Sequence, residues 1–501
     1  VKQLTPSVLF LVCASLLVSA PPPTPSREAV VERQFSQLRR SPPELYAFLL
    51  RMPKGGDLHN HVSGATYAEN LVGAAAASGF CIDKRTMAIV RLCPAADPLA
   101  ASHANNNNPE MNSLIDAYSM RDFVPGRESA HDHFFNAFGL FSAVDAPHTS
   151  EFVADVVRRA ADQNESYLEL MALAGAGPVS QLGGSVGFDG NFEATAAKLK
   201  AAGLPDLVGA LKAGVDEIER VRRAALHCDS EPASAPCQVV VRYIYQVLRE
   251  FPKEQVFAQT LAGFQLAASD PRVVAVNFVQ PEDGINSMRD YHLHMQMVAF
   301  AKRLYPQVHL TLHAGELASG LVPPEGLRFH IHEAVDLGHA ERIGHGVDIM
   351  YETGALELLR EMRAKRVAVE INLTSNDLIL GVKGLDHPFP VYRKYGVPVV
   401  ISTDDEGVNR SHLTQEYQRA VLTYGLTYAD LKQIVRNSLE YSFLSGDSYW
   451  TDPTYRAPVK ACAAIRTGNT CTVFLAASEK ATAQADLETR FLKFEADTIK
   501  K

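Results

Sequence analysis

Short apolar runs rich in β-branched residues recur along this chain, and stretches of helical spacing separate them. Eight of these runs read as strands: 55–62, Tyr167–Met171, Gln238–Ile244, Val273–Phe278, Val308–His313, Arg342–His345, Val367–Asn372 and Pro398–Ser402. Helical patterns lie between them, such as Tyr291–Leu304 and Ala355–Lys365. Strands that each feed a helix predict a parallel sheet, and eight such units predict an α/β fold, a (β/α)8 TIM barrel. Thr414–Tyr424, Tyr428–Ser442 and Ala476–Lys500 predict extra C-terminal helices. Ahead of the first strand, Glu32–Arg51 reads as one amphipathic helix that ends before Pro53.

The first and second strands are far apart in sequence, so residues from about 66 to 160 predict a long helical insertion. Asn105–Asn108 within it must be a loop. His131-Asp132-His133 shares a helical pattern with Phe134, Phe135 and Phe138. Those histidines are either the surface of that helix or a lid over a pocket. After the second strand, Gly175-Ala176-Gly177 and the Gly183–Gly190 region read as loop glycines. Ser180 breaks a GxGxxG pattern and no P-loop occurs.

The first twenty residues resemble a targeting segment. Lys2 gives a positive start, Leu9–Val18 is uncharged and apolar, and Val18-Ser19-Ala20 offers small residues for cleavage, although Pro21 directly after is unfavourable. The run is short for a membrane span, so export to a periplasmic or extracellular space is expected; an uncleaved anchor is the alternative. Residues 21–44, opening with Pro21–Pro25, then form a linker and N-terminal helical segment, and 45–501 form one catalytic domain. Apart from Cys13, the cysteines fall into close pairs, and sequence-adjacent disulfides Cys81–Cys93, Cys228–Cys237 and Cys462–Cys471 are the simplest pairing for an exported chain. A net charge of −9 argues against a nucleic-acid polymer or an anionic membrane as partner, though not against a neutral nucleoside.

The candidate chemistry sits at strand ends. Asp404 and Asp405 follow the last strand, and adjacent side chains on a strand point opposite ways, so the two carboxylates can do different jobs. An isolated Asp pair there would more often cap the next helix. However, His59 and His61 lie two apart on the first strand and face one side, and His313 ends the fifth. Three imidazoles and the Asp404 carboxylate make a set suited to zinc, with a position left for water. Glu316 follows in His313-Ala314-Gly315-Glu316, and His345 ends the sixth strand. Taken singly, Glu316 would be a helix cap and His345 a satisfied core histidine. The fourth strand carries no Lys to be carboxylated as a bridging ligand, so one zinc per chain is expected rather than two.

The stretch Met52–His61 (MPKGGDLHNH), His313-Ala314-Gly315-Glu316, Arg342-Ile343-Gly344-His345-Gly346 and Ser402-Thr403-Asp404-Asp405 together resemble the adenosine deaminase family of metal-dependent hydrolases. The Met-Pro-Lys-Gly-Gly lead-in and the targeting segment are similar to its secreted, growth-factor-type branch. The resemblance spans roughly residues 45–450. It implies His59, His61, His313 and Asp404 as zinc ligands and Glu316 as the proton donor to purine N1. It implies that His345 orients the attacking water and helps remove its proton, and that Asp405 holds that water and contacts substrate. Burial would have to keep Glu316 protonated. The P-C-x-x-C signature of cytidine-type deaminases is missing: Cys237 follows Pro236, but position 240 is Val.

Two candidate substrate-binding positions depart from the family pattern. Ser63 stands where the family commonly has a ribose-contacting Asp, and Gln280 where it commonly has a Gly whose N–H reaches purine N3. The expected activity is therefore deamination of adenosine, and of 2′-deoxyadenosine, to inosine and ammonia. The alternatives are a deaminase of another 6-aminopurine, such as adenine or a modified nucleoside, and an extracellular nucleoside-binding or signalling protein.

Overall fold

The computed structural model describes residues 26–95, 98–174, 177–463 and 469–500. The targeting segment, Pro21–Pro25, Cys13, Gly175 and Ala176 lie outside the described residues. Eight parallel strands form one sheet in chain order: β1 (Gly56–His61), β2 (Tyr167–Ala174), β3 (Val240–Leu248), β4 (Val273–Val279), β5 (His309–Ala314), β6 (Arg342–His345), β7 (Ala368–Ile371) and β8 (Val399–Ile401). The order closes on itself just past the strand ends, where Asn60 bridges Asp404 in parallel. There His61 N–H donates to Asp404 O at 3.1 Å, and Asp404 N–H donates to His59 O at 2.9 Å. The result is a (β/α)8 barrel with an insertion after β1 and added helices at the end, as the strand–helix alternation predicts.

The differences from the sequence reading have local causes. Glu32–Arg51 is two helices, Arg27–Leu38 and Pro42–Arg51, because Ser41-Pro42-Pro43 cannot continue the first one. β3 starts at Val240 and runs to Leu248, since Ala235–Gln238 is taken up in a 3₁₀ turn beside the Cys228–Cys237 disulfide. The last helix begins at Glu479 with Ser478 as its cap, and Asn469–Ala476 is a separate helix. The insertion is mainly helical, ending in the helix Ala130–Asp162, but it also holds a small antiparallel sheet of Cys81–Asp83, Ala88–Val90 and Pro98–Ala100. Those strands are three residues long, too short for alternation to reveal them. Asn105–Asn107 form the expected loop, and Asn107 caps the helix Asn108–Tyr118.

All three expected disulfides are formed, Cys81–Cys93, Cys228–Cys237 and Cys462–Cys471. The C-terminal helices pack on the N-terminal pair through Phe35, Phe48, Tyr428 and Phe494, whose rings meet at 5.0 to 6.3 Å. Tilted and edge-on ring pairs of this kind each add about 1 kcal/mol beyond their burial. The barrel is thus braced on its outside, and its carboxyl-end mouth is left for chemistry.

Candidate active site

β1, β5 and β8 carry His59, His61, His313 and Asp404 to one point at the mouth. One ligand atom from each lies within 4.8 Å of every other. Each imidazole is anchored by its Nδ1. His59 Nδ1 donates to Glu370 Oε2 at 2.6 Å, His61 Nδ1 to Gln246 Oε1 at 3.1 Å, and His313 Nδ1 to Asn277 Oδ1 at 3.0 Å. Their acceptors fix all three as Nδ1–H tautomers, so three Nε2 lone pairs face inward. His61 Nε2 and His313 Nε2 stand 3.2 Å apart, and His59 Nε2 is 3.4 Å from Asp404 Oδ1 with no hydrogen bond of its own. Lone pairs held this close repel unless a cation lies among them.

Electrostatics point the same way. Burial pushes His61 down to about 4 and His313 well below the usual range, so both are neutral. Burial would also lower His59, but the facing carboxylates of Asp404 and Glu370 outweigh it and push it up to about 10, so its Nε2 takes up a proton where no cation lies beside it. Asp404 is held well below the usual carboxylate range against its burial, chiefly by the facing His59 ring and then by the neighbouring imidazoles. The cluster is built for positive charge at its centre, and its donor set of three nitrogens and one carboxylate fits a divalent zinc-like ion.

Of the remaining candidates, His345 and Glu316 border that point. His345 Nε2 lies 3.7 Å from both Glu316 Oε1 and Asp404 Oδ2. Burial, reinforced by the Asp404 charge, pushes Glu316 up to about 8. Asp405 precedes the short helix Glu406–Asn409, yet its carboxylate makes no capping bond and its Oδ1 is buried without a partner. Glu316 likewise caps no helix; it is followed by extended chain. Ser63 is half-buried in the turn Val62–Ala65 that follows His61. Gln280 has φ of 82°, a conformation suited to glycine, and its side chain turns away to accept from Glu250 N at 3.0 Å. His131, on the insertion helix, reaches Asp283 Oδ1 at 3.0 Å in the loop after β4 and is mostly buried, so it is not free helix surface.

A family model described as Adenosine deaminase matches residues 212–449, which hold His313, Glu316, His345, Asp404 and Asp405. The chain is 29% identical over 297 residues to an adenosine deaminase of Enterococcus faecalis, covering 58% of this chain and 71% of the relative. Over these stretches the chain is similar to the adenosine deaminase family. Among solved structures, an amidohydrolase from Burkholderia ambifaria with bound Zn aligns with a TM-score of 0.55 at 18% identity, covering 90% of this chain and 94% of that one. The N6-methyl-AMP deaminase of Arabidopsis thaliana aligns with a TM-score of 0.52 at 20% identity, covering 80% and 95%. At those identities the solved structures speak for the fold alone.

Around this candidate site, several supporting positions were not found from the sequence. Glu370, Asn277 and Gln246 orient the three imidazoles; Glu370 and Asn277 each sit as one polar residue in an apolar strand, and that interruption was the available signal, whereas Gln246 shares its strand with Arg242. Glu282 accepts from Gly315 N at 3.0 Å and Glu316 N at 2.7 Å, so it clamps the turn that aims Glu316. Arg342 Nε donates to Glu370 Oε1 at 2.5 Å, holding that carboxylate under His59. Gly64 makes the closest approach: a Cβ there would fall on the Asp405 carboxylate.

Proposed function

We propose that this protein hydrolytically deaminates adenosine, and 2′-deoxyadenosine, to inosine and ammonia. The observation that carries the reading is the convergence of three inward Nε2 atoms and Asp404, with Glu316 and His345 beside them. His59, His61, His313 and Asp404 would hold one zinc ion. Zinc in such a site supplies Lewis acidity that readies water as a nucleophile near neutral pH. Glu316, raised by burial, keeps its proton at pH 7 and gives it to purine N1, which makes C6 electrophilic. His345 and Asp405 position the attacking oxygen from the opposite side, and the amino group leaves as ammonia. The test is zinc-loaded protein against adenosine, read by loss of the adenosine absorbance band and by ammonia. Glu316→Gln should lower kcat by about 10²–10⁴-fold with metal content unchanged. Failure to turn over any 6-aminopurine would sink the reading.

A second substrate reading is favoured by Gln280 and Ser63. Gln280 presents a backbone conformation that glycine would hold at lower cost, and Ser63 is shorter than a carboxylate that would reach a ribose. A solved relative's name, N6-methyl-AMP deaminase, illustrates how far the substrate can shift on this fold. A panel of adenine, adenosine, its 5′-phosphate and N6-modified forms decides. A preference for adenosine by several orders of magnitude in kcat/KM removes this alternative.

We further propose that residues 45–501 act as one catalytic domain and that the chain is exported. Three disulfides support export. No helix among the described residues is long and apolar enough to cross a membrane. Cleavage mapping and free-thiol counting on the secreted fraction test both points.

A further inference from the structure

The three imidazoles at the metal point are fixed as Nδ1–H, but His345 is held in the opposite sense. Behind it runs a directed chain of hydrogen bonds. Phe389 N–H donates to His387 Nδ1 at 3.1 Å. A backbone N–H can only donate, so this link cannot be reversed. His387 is 2% exposed, and burial together with Arg419 pushes it down to about 4, so it is neutral. With Nδ1 accepting, its hydrogen sits on Nε2, which lies 3.0 Å from Asn376 Oδ1. That contact turns the Asn376 amide so that Nδ2 faces His345 Nδ1 at 2.9 Å. Turning the amide over would set its NH₂ against the His387 N–H and its oxygen against the other ring, so one backbone donor settles an orientation that otherwise has to be assigned.

We propose that Asn376 and His387 are positioning residues that fix His345 as its Nε2–H tautomer, making it a hydrogen-bond donor to the reacting oxygen rather than its proton acceptor. The catalytic consequence rests on the deaminase reading above; the tautomer does not. Two carboxylates beside Nε2 agree with it. Glu316 Oε1 and Asp404 Oδ2 are acceptors at 3.7 Å. Asn372 Nδ2 lies 3.5 Å away while its Oδ1 is buried without a partner, and turning that amide over satisfies the oxygen and sets an acceptor against Nε2. Three lone pairs therefore face the metal point while a fourth imidazole directs an N–H across it. The resemblance implied that His345 helps remove the water's proton; a donor at Nε2 instead favours negative charge building on the attacking oxygen and leaves proton removal to another group.

The tautomer is read directly by ¹⁵N NMR of histidine-labelled, zinc-loaded, full-length protein, with the His345 signals identified by their loss in His345→Gln. The expected spectrum has hydrogen on Nε2 and a bare Nδ1; hydrogen on Nδ1 overturns the proposal whether or not any purine is turned over. Asn376→Asp keeps the shape but replaces the donor with an acceptor, so the ring should flip to Nδ1–H. A wrong tautomer in a catalytic imidazole costs about 10⁴-fold in the serine-protease case, and a loss in kcat of at least about 100-fold with KM and zinc content unchanged is expected here. His387→Gln preserves a donor toward Asn376 Oδ1 and should stay within about tenfold of wild type. Wild-type kcat in Asn376→Asp with zinc bound would also overturn it. If that variant fails to fold, the wild-type spectrum still decides.

Discussion

At the scale of single residues, the site depends on what is missing as much as on what is present. Gly64 leaves the space that the Asp405 carboxylate occupies, and Gly344 leaves room for the His59 ring, whose Cε1 would be 2.8 Å from an added Cβ. Gly64→Ala must push Asp405 aside while leaving the four ligand residues alone. It should cut kcat by about 10²-fold or more at unchanged zinc content, measured by metal analysis on the assayed sample. His294 makes a different kind of statement. It is 1% exposed, neither ring nitrogen has a hydrogen-bond partner, and burial pushes it down to about 4. Its folded pKa lies below its unfolded one, so between about pH 6.5 and 4 the unfolded chain binds the extra proton and stability falls as pH falls. At pH 5 this costs about 2 kcal/mol, and His294→Phe should recover most of it, read as a denaturant midpoint that drops less between pH 7 and pH 5 than in wild type. The candidate ligands were legible in the sequence because His59, His61, His313 and Asp404 end strands that can be recognised. Their supports were not. Nothing in Val367–Asn372 says that Glu370 meets a ring 311 residues away, and Asn376 gains its meaning only from His387 and a backbone N–H.

At the scale of elements, the barrel strands could be placed because each is a buried run between turn formers, whereas helix breaks depended on single residues such as Pro42. The insertion resisted because its order comes from contacts outside itself, His131 with Asp283 and Met120 N–H with Val408 O among them. The junction ahead of β1 shows what the Met-Pro-Lys-Gly-Gly segment does for the fold. Lys54 is fully buried and donates to Leu49 O at 2.7 Å, to Met52 O at 3.2 Å and to Gln163 O. These carbonyls end Pro42–Arg51 and the insertion helix Ala130–Asp162, so one ammonium closes two helix C-termini and meets both dipoles. Lys54→Met fits the space but leaves buried carbonyls without a donor. A loss of about 3 kcal/mol in unfolding free energy is expected, with zinc content and kcat of the folded fraction near wild type. A variant as stable as the parent would show that water, not Lys54, satisfies those groups.

At the scale of the whole molecule, the metal point coincides with the seam where the barrel closes. Neighbouring strands elsewhere pair along a register of residues, but β1 and β8 meet only through the Asn60–Asp404 bridge and the two backbone bonds beside it. Side chains stitch the rest: Asn60 Nδ2 reaches Thr403 Oγ1 at 3.0 Å, and Asp57 accepts from the Thr403 hydroxyl. His59 and His61 stand on one side of this seam and Asp404 on the other, so an ion held by all three would act as a clasp between the first and last strands. Without it, the seam keeps only the contact of Asp404 with His59 and the hydrogen bonds above. Exhaustive chelation should therefore do more than abolish turnover. With free zinc a hundredfold above its Kd, mass action adds about 2.7 kcal/mol to the folded state, and that stabilisation should vanish on chelation and return on adding zinc back. Because the seam is local, amide hydrogen exchange should quicken most in β1, β8 and the turn Val62–Ala65, and least in β3 and β4 on the far side of the ring. Uniform acceleration across all eight strands would mean that the ion stabilises the barrel as a whole rather than clasping its ends. No change at all, in a sample shown to be free of metal, would mean that the four side chains hold nothing.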